Sequence, residues 1–186
     1  MAEVVLVRHG ETEWSKAGRH TGRTDVPLTA NGRRQAERLG AELAGRSFSL
    51  VLTSPLSRAR ETCRLAGLGE PAENCDDLLE WDYGSYEGAT SEEIRRSRPG
   101  WTVFSEGPLG GETAEQVGRR VDRVIARVRA TPGDVALFAH AHVLRVLAAR
   151  WLGLEPAGGR YFALATASVS ILGQERETFV IQRWNL

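Results

Sequence analysis

Cysteine is nearly absent from this sequence: Cys63 and Cys75 are the only two. They are too few for a disulfide scaffold and too far apart for a metal clip, which predicts ordinary reduced thiols. Long hydrophobic runs are missing too, since nothing approaches the roughly 20 apolar residues needed to cross a bilayer. The first residues, MAEVVLVRHG, place acidic Glu3 where a signal peptide carries positive charge. The cytoplasm is the expected address, with no membrane partner. Net charge of either sign is lacking: Lys plus Arg and Asp plus Glu both number 24. No global field draws the chain to nucleic acid, so any basic site must be local. Lysine is reduced to Lys16, and the basic set is otherwise arginine. Its planar, always charged fork grips phosphate in a bidentate way, although a GC-rich genome produces the same bias.

What is present is ordinary for a globular enzyme, with 41% apolar and 26% charged residues. A chain of 186 residues can bury one core but is short for two, so a single domain over residues 1–186 is expected. Val4 to Val7 reads as a buried strand that delivers Arg8 and His9 at its tip. A polar loop follows, until Thr29 caps a helix with Ala36, Leu39, Gly40 and Leu43 on one side. Leu50 to Thr53 reads as a second strand. Ser54 and Pro55 then open a helix that holds Arg58 in its first turn and breaks near Gly67 and Gly69.

The stretch DDLLEWDYGSYEGA, Asp76 to Ala89, has no clean period and is expected to be an extended piece followed by a structured loop. Capping-box pairs, Thr90 with Glu93 and Thr113 with Gln116, start two more helices. The second carries Val117, Val121, Val124, Ile125 and Val128 on one side. Asp134 to Ala139 is another compact apolar run, handing over at His140 to a further helix, and two strands after a loop at Gly158 and Gly159 finish the chain. Strands alternating with helices predict an α/β three-layer sandwich, an open and mostly parallel sheet with helices on both faces.

In such a sheet the C-terminal strand ends share one edge, where ligands bind. Arg8, His9, Arg58 and His140 should therefore converge. Two histidines and two arginines supply what phosphoryl transfer needs, a nucleophile and fixed positive charge on the phosphate oxygens. Neutral His9 could attack phosphorus, Arg8 and Arg58 could hold the oxygens, and His140, as imidazolium, could add a further hydrogen bond. The helix starts after Pro55 and His140 offer backbone N–H groups to an anion. This chemistry requires no metal and no cofactor. A leaving alkoxide needs a proton, for which Glu80 is the candidate and Asp82 the reserve. On a strand the two would share a face, so position along the chain does not separate them.

These residues carry a family resemblance. VRHGETEW, Val7 to Trp14, resembles the signature of the histidine phosphatase superfamily, which includes cofactor-dependent phosphoglycerate mutase. GRHTGRTDVPLTANG from Gly18, SPLSRARET from Ser54, LLEWDYGSYEG and AHAHVLRVLAARWLGL from Ala139 resemble four further segments in order. The resemblance implies a phosphoglycerate mutase-like fold and a catalytic set of Arg8, His9, Arg58, Glu80 and His140. Thr21 and Gly22 match the substrate-contacting loop, and Ser15, Ala141 and Arg145 are further expected substrate contacts. Ala141 stands where the family usually has glycine, harmless in a right-handed helical backbone but strained at positive φ. EWDYGSYEG together with His140, His142 and Arg145 most resembles the branch of bacterial acid phosphatases and sedoheptulose 1,7-bisphosphatase. Arg145 would then reach toward a second phosphate.

The expected activity is hydrolysis of small phosphate esters, sugar phosphates among them, through a phosphohistidine on His9. The inserted segment of the mutases, which closes over substrate, has no counterpart here, and an open site favours transfer to water. A phosphoglycerate mutase and a phosphate-ester-binding module with weak turnover are the alternatives, and a homodimer is possible. Plainer readings stand beside these. His9, His140 and His142 could bind zinc, although Arg8 and Arg58 would repel it. Arg58 and Arg145 could be ordinary surface arginines. Trp81, Tyr83, Tyr86 and Trp101 suit core or lid packing as well as a substrate wall, and His20 reads as a surface loop residue.

Overall fold

A computed structural model describes residues 2–186. In chain order it contains β1 (Val4–Arg8), α1 (Glu13–Lys16), α2 (Ala30–Leu43), β2 (Leu50–Thr53), α3 (Ser57–Leu65) and β3 (Ala72–Asn74). Then come α4 (Ser91–Ser97), α5 (Ala114–Ala130), β4 (Val135–Ala139), α6 (Ala141–Trp151), β5 (Val169–Glu175) and β6 (Thr178–Arg183). The strands form one sheet in the order β3-β2-β4-β1-β5-β6. β3, β2, β4 and β1 are mutually parallel, β5 runs antiparallel to β1, and β6 antiparallel to β5.

Side chains alternate across each strand, and both faces are apolar. Val5, Val7, Val51, Ala136 and Phe138 point to one face, where Leu39 and Leu43 of α2 and Cys63 of α3 cover them. Val4, Leu6, Leu52, Val135 and Leu137 point to the other, under Val117, Val121 and Val124 of α5 and Leu144 and Leu147 of α6. The three-layer α/β sandwich expected from the strand and helix alternation is thus the fold. Continuous apolar strands are what a parallel sheet covered on both faces requires. Among the described residues no helix is long and apolar enough to cross a membrane.

The helix starts follow local chemistry. Thr29 caps α2, and the capping boxes Thr90 with Glu93 and Thr113 with Gln116 are both formed. The differences have physical reasons. α3 begins at Ser57 rather than Pro55: its N-cap, Leu56, is extended and has no capping side chain, and the Asp25 carboxylate accepts from both the Ser57 N–H and hydroxyl instead. That carboxylate lies 32 residues away and leaves no local signal. The polar loop after Gly10 contains the four-residue α1, started by a capping box between Thr12 and Ser15. The edge strand β3 is polar, and only pairing with β2 reveals it. Gly158 and Gly159 lie inside a 3-10 helix, Pro156–Tyr161, not in a loop.

Candidate active site

The order β2-β4-β1 brings three strand tips side by side. Arg8 lies level with Ala139, and Thr53 with Phe138. The ladder continues one step past the strands, His9 N–H donating to Ala139 O at 3.0 Å and Ser54 N–H to Phe138 O at 2.9 Å. His9 and His140 are therefore neighbours, with ring centroids 5.1 Å apart and edge to face. Gly10 gives the turn its shape: a Cβ there would stand 2.4 Å from Gly32 O, so the loop packs backbone to backbone on the start of α2.

His9 is oriented by that loop. Its Nδ1 lies 2.7 Å from Gly10 O. A carbonyl only accepts, so Nδ1 carries the proton and Nε2 keeps its lone pair. Burial, then the charges of Arg58 and Arg8, hold the imidazole well below its ordinary pKa. The ring is thus neutral, with a free lone pair on Nε2 and 5% of its surface exposed. Gly10 N–H donates to Thr62 Oγ1 at 3.0 Å, and that hydroxyl donates to Arg58 O at 2.7 Å, tying the loop to α3.

Arg58 is fully buried. Its Nε–H donates to His140 Nδ1 at 3.1 Å, and its two terminal nitrogens donate to Thr24 O (2.9 Å), Thr21 O (3.1 Å) and Gly22 O (2.9 Å). One expectation is corrected here. His140 is neutral rather than an imidazolium, because a nitrogen that accepts from a guanidinium has no proton to give. Its Nε2 lies 2.8 Å from Ser54 Oγ, and burial and then Arg58 push its pKa well down. Arg8 donates to Leu164 O at 2.5 Å, while its Nε is the one buried side-chain polar atom without a partner among the described residues. A buried donor without an acceptor costs about 1–3 kcal/mol, a cost that an arriving anion can relieve.

Glu80 and Asp82 do not share a face, because residues 79–83 are not a strand. Glu80 is buried and bonds to the first turn of α6, accepting from His142 N–H at 3.0 Å, Val143 N–H at 2.9 Å and its neighbour Trp81 N–H at 2.9 Å. Asp82 caps a turn by accepting from Gly84 N–H and faces Arg23 at the surface. Only Glu80 stands beside the strand tips, where it interacts with both Arg8 and Arg58.

The other expected contacts fall in three places. Thr21 and Gly22 support Arg58 through their carbonyls, and Gly22 N–H donates to Glu87 Oε1 at 2.8 Å. A Cβ on Gly22 would meet Trp81 O at 2.5 Å, which explains glycine there. The Ser15 hydroxyl is occupied by the Thr12 capping box. Ala141 opens α6 with an ordinary helical backbone and is not among the positive-φ residues, so its methyl group adds no strain. Arg145 lies one turn further along α6, bonded to Gly159 O and Arg160 O with its guanidinium over the Phe104 ring. It belongs to the same electrostatic neighbourhood as Glu80 and Arg8.

Trp81, Tyr83 and Trp101 are buried, as the core reading of these aromatics has it, and two partly buried histidines pack on them. His142 pairs with the Tyr83 hydroxyl, and His20, half-buried, packs on Tyr83 and Trp101 with centroids 4.7 and 5.5 Å away. Among the described residues, no three His, Cys, Asp or Glu side chains stand close enough together to hold a metal ion. Glu87 and Thr62 were missed; only their long-range partners mark them. A surface cleft of about 760 Å³ lies elsewhere, between α3 and β3. It holds Cys63, whose thiol burial pushes up to about 12, so it offers no nucleophile near neutral pH.

All four histidines of the chain are held below their usual pKa, burial being the largest cause in each, with His20 lowered to about 4. The unfolded chain takes up these protons near pH 6.5 and the folded chain does not. Stability is therefore fully present above that pH and lost as pH falls toward the folded values, the window for His20 running down to about 4. Each histidine contributes a slope of about 1.4 kcal/mol per pH unit inside its window. Urea midpoints should fall steadily between about pH 7 and about pH 5. A flat profile would contradict a buried neutral set.

Comparison with known proteins agrees with this geometry. A sequence model of the histidine phosphatase superfamily (branch 1) matches residues 4–186. An acid phosphatase of Mycobacterium tuberculosis is 44% identical over 176 residues, covering 92% of this chain and 86% of the relative. A sedoheptulose 1,7-bisphosphatase of Saccharomyces cerevisiae is 38% identical over 182 residues, covering 81% and 67%. The solved structure of an open reading frame of Mycobacterium tuberculosis superposes with a TM-score of 0.95 at 41% identity, covering 100% of this chain and 97% of that one.

Proposed function

The chain belongs to the histidine phosphatase superfamily, and on that premise we propose that it hydrolyses small phosphate esters through a phosphohistidine on His9. The observation that carries this reading is the His9 ring, its Nδ1–H held by Gly10 O so that Nε2 presents a lone pair beside Arg58 and His140. Arg8, with its unpartnered buried Nε, and Arg58 supply fixed positive charge for the phosphoryl oxygens. In the first step the N–P bond forms, the ester P–O bond breaks, and Glu80 delivers a proton to the leaving oxygen. In the second step water attacks phosphorus, Glu80 takes the water proton, and the N–P bond breaks to release inorganic phosphate.

Glu80 suits both steps because its carboxyl group is buried at the strand tips and held by backbone N–H groups. The free cysteines Cys63 and Cys75 suit a reducing compartment such as the cytoplasm. The test is to mix the enzyme with a radiolabelled aryl phosphate and quench rapidly. A protein-bound phosphate that is labile to acid and stable to alkali supports phosphohistidine, whereas label on a hydroxyl or no label at all overturns it.

Sugar phosphates are the proposed substrate class, and bisphosphates among them suit Arg145. It stands one helical turn beyond Ala141, within the electrostatic reach of Glu80. Arg145→Ala should raise KM for a sugar bisphosphate by about 10-fold and leave an aryl monophosphate within about 3-fold. Equal loss on both dismisses the second-phosphate role. A mutase would require a bisphosphate primer and would isomerise phosphoglycerate, which the same substrate panel reads.

A further inference from the structure

The segment that carries Glu80 has no ladder to set its backbone. It lies between a 3-10 turn at Asp76–Leu78 and another at Gly84–Tyr86, with no regular structure between them. Something else must fix the backbone on either side of Glu80. Two residues of a neighbouring segment and helix do so, Glu112 just ahead of α5 and Arg120 within it.

Arg120 NH1 donates to Asp77 O at 2.8 Å and to Leu79 O at 2.6 Å, gripping the chain just before Glu80. Its other two nitrogens bind the Glu112 carboxylate in a bidentate pair at 2.9 and 3.0 Å. Glu112 then grips the chain just after Glu80. Its Oε2 accepts from Asp82 N–H at 2.9 Å, its backbone N–H donates to Asp82 O at 3.0 Å, and its carbonyl accepts from Trp81 Nε1–H at 2.7 Å. Residues 77, 79, 81 and 82 are thus fastened on both sides of Glu80, while the bonds to the Glu80 carboxyl group itself come from residues 81, 142 and 143. Burial makes the arrangement rigid, since the side chains of Arg120 and Glu112 are only 7% and 17% exposed.

We propose that the Glu112–Arg120 pair is the positioning device for the proton donor, acting through the backbone that flanks Glu80. This rests on the assignment of Glu80 as the acid. A protonated acid acts on the leaving group alone, so its misplacement is felt in proportion to how badly that group needs a proton. A merely structural pair has no reason to distinguish one leaving group from another. Displacement of about 1 Å at a reacting group costs on the order of 10²-fold.

The experiment compares kcat/KM, which reports the steps up to phosphorylation of His9, on an alkyl phosphate and on a nitro-substituted aryl phosphate whose leaving group is already acidic. Glu112→Gln keeps the shape and one acceptor but removes the charge that holds Arg120. It should lose about 30- to 100-fold on the alkyl ester and less than about 3-fold on the nitroaryl ester. Arg120→Lys, which keeps the charge but cannot span both carbonyls and Glu112, carries the same expectation if Glu112→Gln does not fold. Melting curves establish that the variant assayed is folded. Equal loss on the two esters overturns the inference. Glu80→Gln, run alongside, must show the same selectivity; if it does not, the assignment of the acid has failed, and the inference with it.

Discussion

Replacing His9 with Ala is expected to lower kcat on an aryl phosphate by at least about 10⁴-fold while the protein stays folded. The ring donates to its own loop at Gly10 and packs edge to face on His140, so its removal leaves the capping of α2 and the strand ladder untouched. The phosphoenzyme trapped after rapid quenching should disappear with the activity. Phosphate binding should persist, because Arg8 and Arg58 are unchanged. One further consequence follows from the titration of the buried histidines. With one group of depressed pKa gone, the decline in stability below pH 6.5 should become shallower in the variant than in the parent. Turnover of His9→Ala within about 10-fold of the parent would remove the nucleophile from the mechanism altogether.

Arg58→Ala is expected to be damaging in two separable ways. Three carbonyls, at Thr21, Gly22 and Thr24, and the Nδ1 of His140 lose their donor, and two of these acceptors, Gly22 O and His140 Nδ1, are buried. An unsatisfied buried group costs about 1–3 kcal/mol, so several kcal/mol of stability should go, read as a lower denaturant midpoint. The loss of a fixed cation at the phosphoryl oxygens should take about 10³-fold from kcat/KM. Arg58→Lys separates the two effects, since an ammonium keeps the charge but cannot reach His140 and three carbonyls at once. It should recover part of the stability and still lose about 10²-fold in activity. A lysine variant with parental kcat/KM would show that charge alone, without the guanidinium geometry, is what the site uses.

The electrostatics of the pocket explain why the two variants differ. His9 and His140 stay neutral because burial and two guanidinium groups oppose a third and fourth positive charge. A neutral His9 is nucleophilic, and its lowered pKa keeps it so on the acid side of pH 6.5. A neutral His140 accepts from Arg58 and so orients the guanidinium instead of adding a charge of its own. The sequence-based expectation of an imidazolium at residue 140 overlooked this. It placed the right groups together without the distances that decide which of them holds a proton.

Much of the molecule is written locally. Apolar runs at Val4–Arg8, Leu50–Thr53 and Val135–Ala139 became adjacent central strands because a parallel sheet buries both faces. Capping pairs set the starts of α4 and α5, since an N-terminal N–H finds its acceptor three residues away. His9, Arg58 and His140 were legible for the same reason: each stands at a strand tip or first helical turn, and such tips share an edge.

What needed the tertiary structure is everything that depends on a partner far along the chain. The placement of the Glu80 carboxyl group at the strand tips, and not that of Asp82, rests on backbone N–H groups 62 and 63 residues later. The start of α3 rests on Asp25, the posture of Arg58 on three carbonyls of residues 21–24, and the packing of His20 on Tyr83 and Trp101. The amino-acid order alone determined which secondary elements form and which chemical groups reach the common edge, because periodicity, caps and strand tips are short-range. Only the packed chain decided protonation, orientation and support, because those follow from burial and from hydrogen bonds between residues that nothing in the linear order brings together.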